Sequence, residues 1–310
     1  MNLATRVRSA WLVLVLLPLG VDAQQVTDDA FQYQNAHPAF AAAAGPVVCI
    51  DEGHFNTHTA DGRYRPFAEL LRTDGYIVEG YDGDLTQEAL GDCDLLVVVN
   101  ALAEVNENDW NYPHPSAFSG DEIREMMAWV RGGGRFLLFA DHAPIAAAAR
   151  DLAAVFGVVM IDAYVDGGPG PDMFRAADRT LRSHPIQQGR IREERVDSAM
   201  TFTGQAIQIT QDWDPLLVFG PDAKARISLA QAFQQGPRAN WPEFSVGGWV
   251  HGAAREWDRG RVVFLGEAAM CSAQVSGPER RPMGMNDPRA GQNAQFCLNV
   301  VHWLTRVIDP

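Results

Sequence analysis

Short apolar runs alternate along this chain with stretches of helical periodicity, and several runs stop on a cluster of His and acidic residues. That alternation restricts the fold more than any other feature of the sequence. A run over 47–50 leads into Asp51, Glu52, His54 and His58, one over 135–140 into Asp141 and His142, and one over 261–266 into Glu267. In an open parallel α/β sheet the loops beyond the carboxyl ends of the strands converge on a crevice where ligands bind. The sequence therefore places its candidate site there, built from Asp51, His54, His58, Asp141, His142 and Glu267.

The intervening segments carry helix signals. Residues 65–73 predict a helix, with Pro66 tolerated in the first turn and Phe67, Leu70 and Leu71 at helical spacing. Asp74 and Gly75 end it, and a strand over 76–79 follows. Residues 95–99 are unbroken apolar, as expected of a strand covered on both faces. Ser119 with Glu122 three residues on forms a capping box, and Ile123, Met126, Met127 and Val130 form the buried stripe behind it. Gly132, Gly133 and Gly134 stop that helix, a strand over 135–140 follows, and a helix over 146–156 closes on Gly157. This rhythm predicts a doubly wound, mostly parallel sheet with right-handed crossovers. The pattern weakens over 160–258, which holds a Gly- and Pro-rich run at 167–171 and four Trp (Trp213, Trp241, Trp249 and Trp257). That stretch reads as an irregular, β-containing insertion overhanging the site. Regularity resumes at 261–265 and ends in a helix over 293–307.

The N-terminus reads differently. Arg6 and Arg8, an apolar stretch over 10–21 and the small-residue exit Val21-Asp22-Ala23 form a secretory signal. About a dozen apolar residues fall short of the roughly 20 that a membrane span needs. The expected plan is a signal peptide at 1–23, an extended lead-in at 24–45 and one α/β domain at 46–310. The mature chain would be exported to the periplasm or medium, with no membrane insertion after signal removal. A formal net charge of −14 disfavours nucleic acid and anionic lipid surfaces and leaves cations, sugars and other neutral ligands. Four Cys in an exported chain permit disulfides. Cys271 with Cys297 is the favoured pair, because the final strand and final helix should be neighbours; Cys49 and Cys93 stay open.

The runs Cys49-Ile50-Asp51-Glu52-Gly53-His54, Trp129-Val130-Arg131-Gly132-Gly133-Gly134, Phe139-Ala140-Asp141-His142 and Gly266-Glu267-Ala268-Ala269-Met270 recur in that order in an uncharacterised family of bacterial exported proteins with a class I glutamine amidotransferase-like domain, which this chain resembles. His184-Pro185-Ile186 and Thr201-Phe202-Thr203-Gly204-Gln205 resemble it too, so the likeness covers most of the mature chain. It implies a flavodoxin-like sheet and no particular reaction. True amidotransferases place a catalytic Cys at a strand-to-helix elbow. Here the comparable elbow carries Asp141 and His142 and no Cys, which argues against a glutaminase thioester. Gly-x-Ser-x-Gly, Walker and Gly-x-Gly-x-x-Gly elements are absent from strand-to-helix turns.

Two chemistries fit the candidate cluster. Imidazoles and carboxylates suit Zn²⁺ or another divalent metal, whose bound water would ionise near pH 7; Asp51, His54 and His58 are then the ligands and Glu267 or Glu52 the base. Without metal, His142 serves as general acid or base, oriented by Asp141, Asp51 or Glu267. The same residues can instead cap helices and close loops. Trp110, Tyr112 and His114 offer a sugar-stacking platform or ordinary packing. A polar loop with Gln274, Arg280, Arg281, Asn286, Gln292 and Asn293 would select a hydroxyl- or amide-bearing ligand, with Asn293 capping the last helix. His184 and His251 read as loop residues and His302 as packed beside Trp303. The expected function is a hydrolase acting on a small or saccharide-like substrate; the alternative is a non-catalytic ligand-binding or envelope scaffold module.

Overall fold

Nine strands form one mixed sheet. Its spatial order is Ile77–Tyr81, Val47–Asp51, Leu95–Val99, Arg135–Phe139, Gly260–Leu265, Val250–Trp257, Ile207–Ile209 and Val158–Met160, with Asp214–Val218 also paired on Val250–Trp257. The computed structural model describes residues 25–166, 172–227 and 240–309. The segment expected as a signal peptide and the Gly- and Pro-rich run at 167–171 lie outside the described residues. The first five strands are parallel neighbours. Numbered along the chain they stand in the order 2-1-3-4-5, the flavodoxin-like arrangement.

The sheet is therefore α/β but not mostly parallel. From Val250–Trp257 outward every pairing is antiparallel. Part of the stretch expected as an overhanging insertion thus extends the sheet itself. Its strands are three to five residues long apart from Val250–Trp257, too short to impose a readable period on the sequence.

Five helices accompany the strands: α1 (Arg65–Thr73), α2 (Gly120–Arg131), α3 (Ile145–Val155), the single turn α4 (Pro185–Gln188) and α5 (Asn293–Leu304). Phe67, Leu70 and Leu71 of α1 and Phe296, Val300 and Val301 of α5 pack with Val48, Ile50, Val97, Val99, Leu137 and Phe139 on one face. Ile123, Met126 and Val130 of α2 and Ala149, Leu152 and Ala153 of α3 pack with Leu96, Val98, Phe136 and Leu138 on the other. Alternate residues of each strand feed the two layers, because strand side chains alternate in direction. Leu95–Val99 is buried throughout, and each such side chain contributes about 2 kcal/mol of burial. The capping box forms as expected: Glu122 N donates to Ser119 Oγ, and Ser119 N donates to the Glu122 carboxylate. Gly75 turns the chain out of α1 with φ of +93°.

The lead-in is tied down at both ends. Val26–Thr27 pairs with Ala273–Ser276, while Asn35 Nδ2 and Ala39 N donate to Asp74 Oδ1 at 2.7 and 2.9 Å. Two disulfides brace the domain, Cys49–Cys93 and Cys271–Cys297. Among the described residues no helix is long and apolar enough to cross a membrane.

Candidate functional site

The strand Val47–Asp51 ends on a buried carboxylate that its own loop wraps around. His54 Nδ1 lies 2.9 and 3.1 Å from the two Asp51 carboxylate oxygens. Asn56 Nδ2 donates to Asp51 Oδ2 at 2.9 Å and to Val99 O at 3.2 Å. The other ring nitrogen of His54 is 3.2 Å from Glu122 Oε1, across to the first turn of α2. Both ring nitrogens of His54 thus face carboxylate oxygens, acceptors that favour the protonated ring. Burial opposes that charge, but the hydrogen bond and charge of Asp51, reinforced by Glu122, outweigh it and raise the His54 pKa.

That arrangement gives no support to the expected metal centre at Asp51, His54 and His58. A metal ligand needs a free imidazole lone pair, and His54 commits both nitrogens to carboxylates. His58 faces other partners: its Nδ1 is 2.8 Å from Thr57 Oγ1 and 3.4 Å from Asn100 Nδ2, and its Nε2 is 3.4 Å from Gln274 Nε2. Burial, helped by the Arg63 charge, pushes its pKa down to about 3, so it is neutral. Among the described residues no group of three His, Cys, Asp or Glu side chains is placed to hold a metal ion.

A second cluster sits where the strands Leu95–Val99, Arg135–Phe139 and Gly260–Leu265 end. Asn100 Nδ2 donates to Asp141 Oδ2 at 3.2 Å, and Asp141 N donates to Asn100 Oδ1 at 3.1 Å. Glu267 is fully buried, and its Oε2 accepts from Met270 N at 2.9 Å. Burial pushes the Glu267 pKa well above the usual range, and the Asp141 charge adds to the rise. Burial also raises Asp141, against the His142 charge and the Asn100 hydrogen bond. Tyr64 closes the cluster from below, its hydroxyl donating to Ala268 O at 3.2 Å and its ring set edge-on to His58. Gln205 Nε2 donates to Ala140 O at 2.8 Å, and Gln205 O accepts from His251 Nδ1 at 2.7 Å.

His142 stands on the outer side of this pair. Its Nδ1 donates to Ala143 O at 2.8 Å, which in a neutral ring leaves the lone pair on Nε2. The ring stacks on Tyr164 at 4.0 Å between centroids, with Trp110 edge-on at 6.1 Å. Trp241 sets its edge against Tyr164 at 5.5 Å. Tyr112 stacks on His114, and His114 Nδ1 is 2.7 Å from Asp162 Oδ2. Trp110 thus comes to the site, while His114 fastens the Trp110 loop to Asp162.

Asp51, His54 and Glu122 form one knot, and His58, Asn100, Asp141, His142 and Glu267 form a second, joined by the loop carrying Asn56 and His58. Asn100, Tyr64 and the His54–Glu122 contact are absent from the sequence reading, and Gln205 enters it only within the family-like run 201–205. Asn100 directly follows an apolar run, a usable signal; Tyr64 carries none. Three other expectations change. Asn293 does not cap α5; it is buried and accepts from Met200 N while donating to Met200 O and Met270 O. His251 lies in the strand Val250–Trp257, buried against Phe174 and Phe219. His184 is the cap of α4, accepting from Ile186 N. His302 is packed as expected, 2.6 Å from Asp74 Oδ2.

Neither a family model nor a curated protein matches the sequence. Solved structures do. The mmIFT52 N-terminal domain superposes with a TM-score of 0.57 at 12% identity, over 84% of this chain and 97% of that one. A ThuA-like protein from Bacteroides uniformis gives 0.46 at 12% identity, over 88% and 94%. The cytoplasmic protein STM1381 from Salmonella typhimurium gives 0.49 at 15% identity, over 83% and 98%. The first likeness shows a shared α/β fold; at these identities none of the three speaks to activity.

Proposed function

We propose that this chain is an exported acid–base hydrolase acting on a small neutral or saccharide-like substrate in the crevice at the carboxyl ends of the parallel strands. The observation that carries the reading is the buried pair Asp141 and Glu267 beneath His142. Burial and the Asp141 charge push the Glu267 pKa well up and favour its protonated form. Asp141 links the two electrostatically, since its charge acts on Glu267 and the His142 charge acts on it, and His142 Nδ1 is already committed to Ala143 O. His142 Nε2 is the base that takes a proton from the attacking water, and the Asp141 carboxylate stabilises the imidazolium that results. As the bond to the leaving group breaks, the imidazolium returns that proton to the departing oxygen, and Glu267 holds the second proton of the site.

Trp110, Tyr164 and Trp241 around His142 suit a ligand with apolar faces. The net charge of −14 favours neutral substrates over anionic ones. All four cysteines are paired, which supports an oxidising compartment and leaves no thiolate for amidotransferase chemistry. The class I amidotransferase-like, flavodoxin-like assignment rests on the 2-1-3-4-5 strand order.

A second reading, a non-catalytic ligand-binding module, is favoured by the internal saturation of Asp51 and His54. Turnover of nitrophenyl esters and glycosides by wild type and His142→Ala separates the two. Turnover abolished by the substitution supports the hydrolase; equal rates in both proteins overturn it.

A further inference from the structure

Phe55 lies at the tip of the loop leaving Val47–Asp51 with φ of +47° and 40% of its surface exposed. A left-handed backbone disfavours any residue with a Cβ, and a bulky aromatic there is a genuine outlier. The loop is fixed on both sides of it. His54 is clamped between Asp51 and Glu122, and His54 N donates to Asn56 Oδ1 at 3.0 Å. Leu102 N donates to His54 O at 2.9 Å, and Thr57 N to Asn100 O at 3.4 Å. Those bonds stitch the Phe55 loop to the loop after Leu95–Val99, which presents Val105 at 60% and Tyr112 at 44% exposure. Single exposed apolar residues are ordinary on protein surfaces. An aromatic held outward on a disfavoured backbone, next to the Asp51–His54–Glu122 cluster, is not.

We propose that Phe55 is a stacking platform for the apolar face of a neutral sugar ring entering the crevice. The inference rests on the saccharide-like substrate proposed above and adds a binding residue to it. Sugars pair C–H faces with aromatic rings and hydroxyls with carboxylate acceptors. Glu122, whose side chain is 30% exposed, supplies the acceptor one residue removed from Phe55 through His54. A protein partner fits less well, because three separate side chains fall far short of the roughly 800 Å² per partner of a stable interface.

The test uses the full mature chain as wild type, Phe55→Asn, Phe55→Trp and His142→Ala, titrated calorimetrically with cellohexaose, maltohexaose and chitohexaose. At least one sugar should bind wild type. Phe55→Asn should weaken that sugar at least ten-fold with Tm unchanged or raised, since Asn tolerates the left-handed region. Phe55→Trp should retain binding. Equal affinity in Phe55→Asn, a lowered Tm in Phe55→Asn that marks a packing role, or a wild type that binds none of the three sugars overturns the proposal. So does a wild-type dimer that Phe55→Asn converts to monomer, which would make a second copy the occupant. The hydrolase reading is judged separately by His142-dependent ester turnover. Turnover without sugar binding sinks only the platform, and Phe55-dependent sugar binding without turnover sinks only the hydrolase.

Discussion

Asn100 and Asp141 hold each other at two points, with Asn100 Nδ2 donating to Asp141 Oδ2 at 3.2 Å and Asp141 N donating to Asn100 Oδ1 at 3.1 Å. The double contact joins the ends of two neighbouring parallel strands and fixes the carboxylate that stands between His142 and Glu267. Asn suits the position for a second reason: its φ is +49°, a conformation Asn tolerates better than most residues.

Replacing Asn100 with Ala removes both bonds, orphans a buried N–H and a buried carboxylate oxygen, and puts a poorer residue on a left-handed backbone. The expected loss is about 3 kcal/mol in urea unfolding. Asn100→Asp sets a second carboxylate against Asp141, so its penalty should be larger at pH 7 than at pH 4, where protonation relieves the repulsion. A loss under about 1 kcal/mol for Asn100→Ala would show that Asp141 is held by something else.

Histidine burial sets the pH dependence of stability. Burial lowers the pKa of His58 to about 3 and those of His184 and His251 to about 4. An unfolded chain titrates its histidines near 6.5. Below that pH the unfolded state takes up protons that the folded state refuses, so stability falls as pH drops from 6.5 toward 4. The slope is at most about 1.4 kcal/mol per pH unit for each histidine. His54 acts in the opposite sense: its folded pKa is raised, so its contribution is complete below 6.5 and is lost as pH rises through the folded value. Glu267 and Asp141, whose pKa values are also raised, act in the same sense as His54 and oppose the three histidines over part of that window. His58→Gln should therefore reduce the loss of stability between pH 6.5 and 4 in thermal melts, and an unchanged acid-side slope would contradict a folded His58 that refuses its proton.

Each disulfide supports one wall of the crevice. Cys49 lies two residues before Asp51 and reaches Cys93 across 44 positions; Cys271 follows Met270, whose N–H holds Glu267, and reaches Cys297 across 26. Chain-entropy estimates for loops of these lengths give about 3 to 4 kcal/mol apiece. Cys271→Ala with Cys297→Ala should lose about that much in guanidinium unfolding and should also weaken any His142-dependent turnover, through Glu267. Cys49→Ala with Cys93→Ala should lose similar stability with less effect on turnover. Identical unfolding curves for wild type with and without reductant would contradict both.

The parallel half of the sheet was legible because four of its five runs are nearly all apolar and α2 announces its start with Ser119 and Glu122. The antiparallel half was not: Ile207–Ile209 exposes Gln208 between apolar neighbours and Val158–Met160 exposes Val159, patterns a loop shows equally well. Side-chain chemistry was harder still. Glu122 was readable as a cap, but nothing local reveals that its second oxygen meets His54, 68 residues earlier. Without that contact, His54 and His58 look like metal ligands. Asn293 was misjudged for a similar reason, since its partners Met200 and Met270 come from distant segments.

His142 and Glu267 can be told apart by substitutions that preserve shape. Glu267 is buried with its pKa pushed well up, which favours the neutral acid. Glu267→Gln keeps the size, the acceptor for Met270 N and the zero charge, and should change stability at pH 7 by less than about 1 kcal/mol. A carboxylate ionised in that position would instead lose a charge-assisted bond, and the same substitution would cost about 2 kcal/mol or more. Glu267→Gln also removes the stored proton, so turnover should fall while the fold stays intact. His142→Ala removes the base and one stacking partner of Tyr164. It should lower turnover by about 10² to 10⁴ with a stability change of about 1 kcal/mol. If Glu267→Gln leaves turnover at the wild-type level while His142→Ala abolishes it, the proton needed by the reaction comes from solvent, and the buried carboxyl serves only to hold Met270 and the turn after Gly260–Leu265.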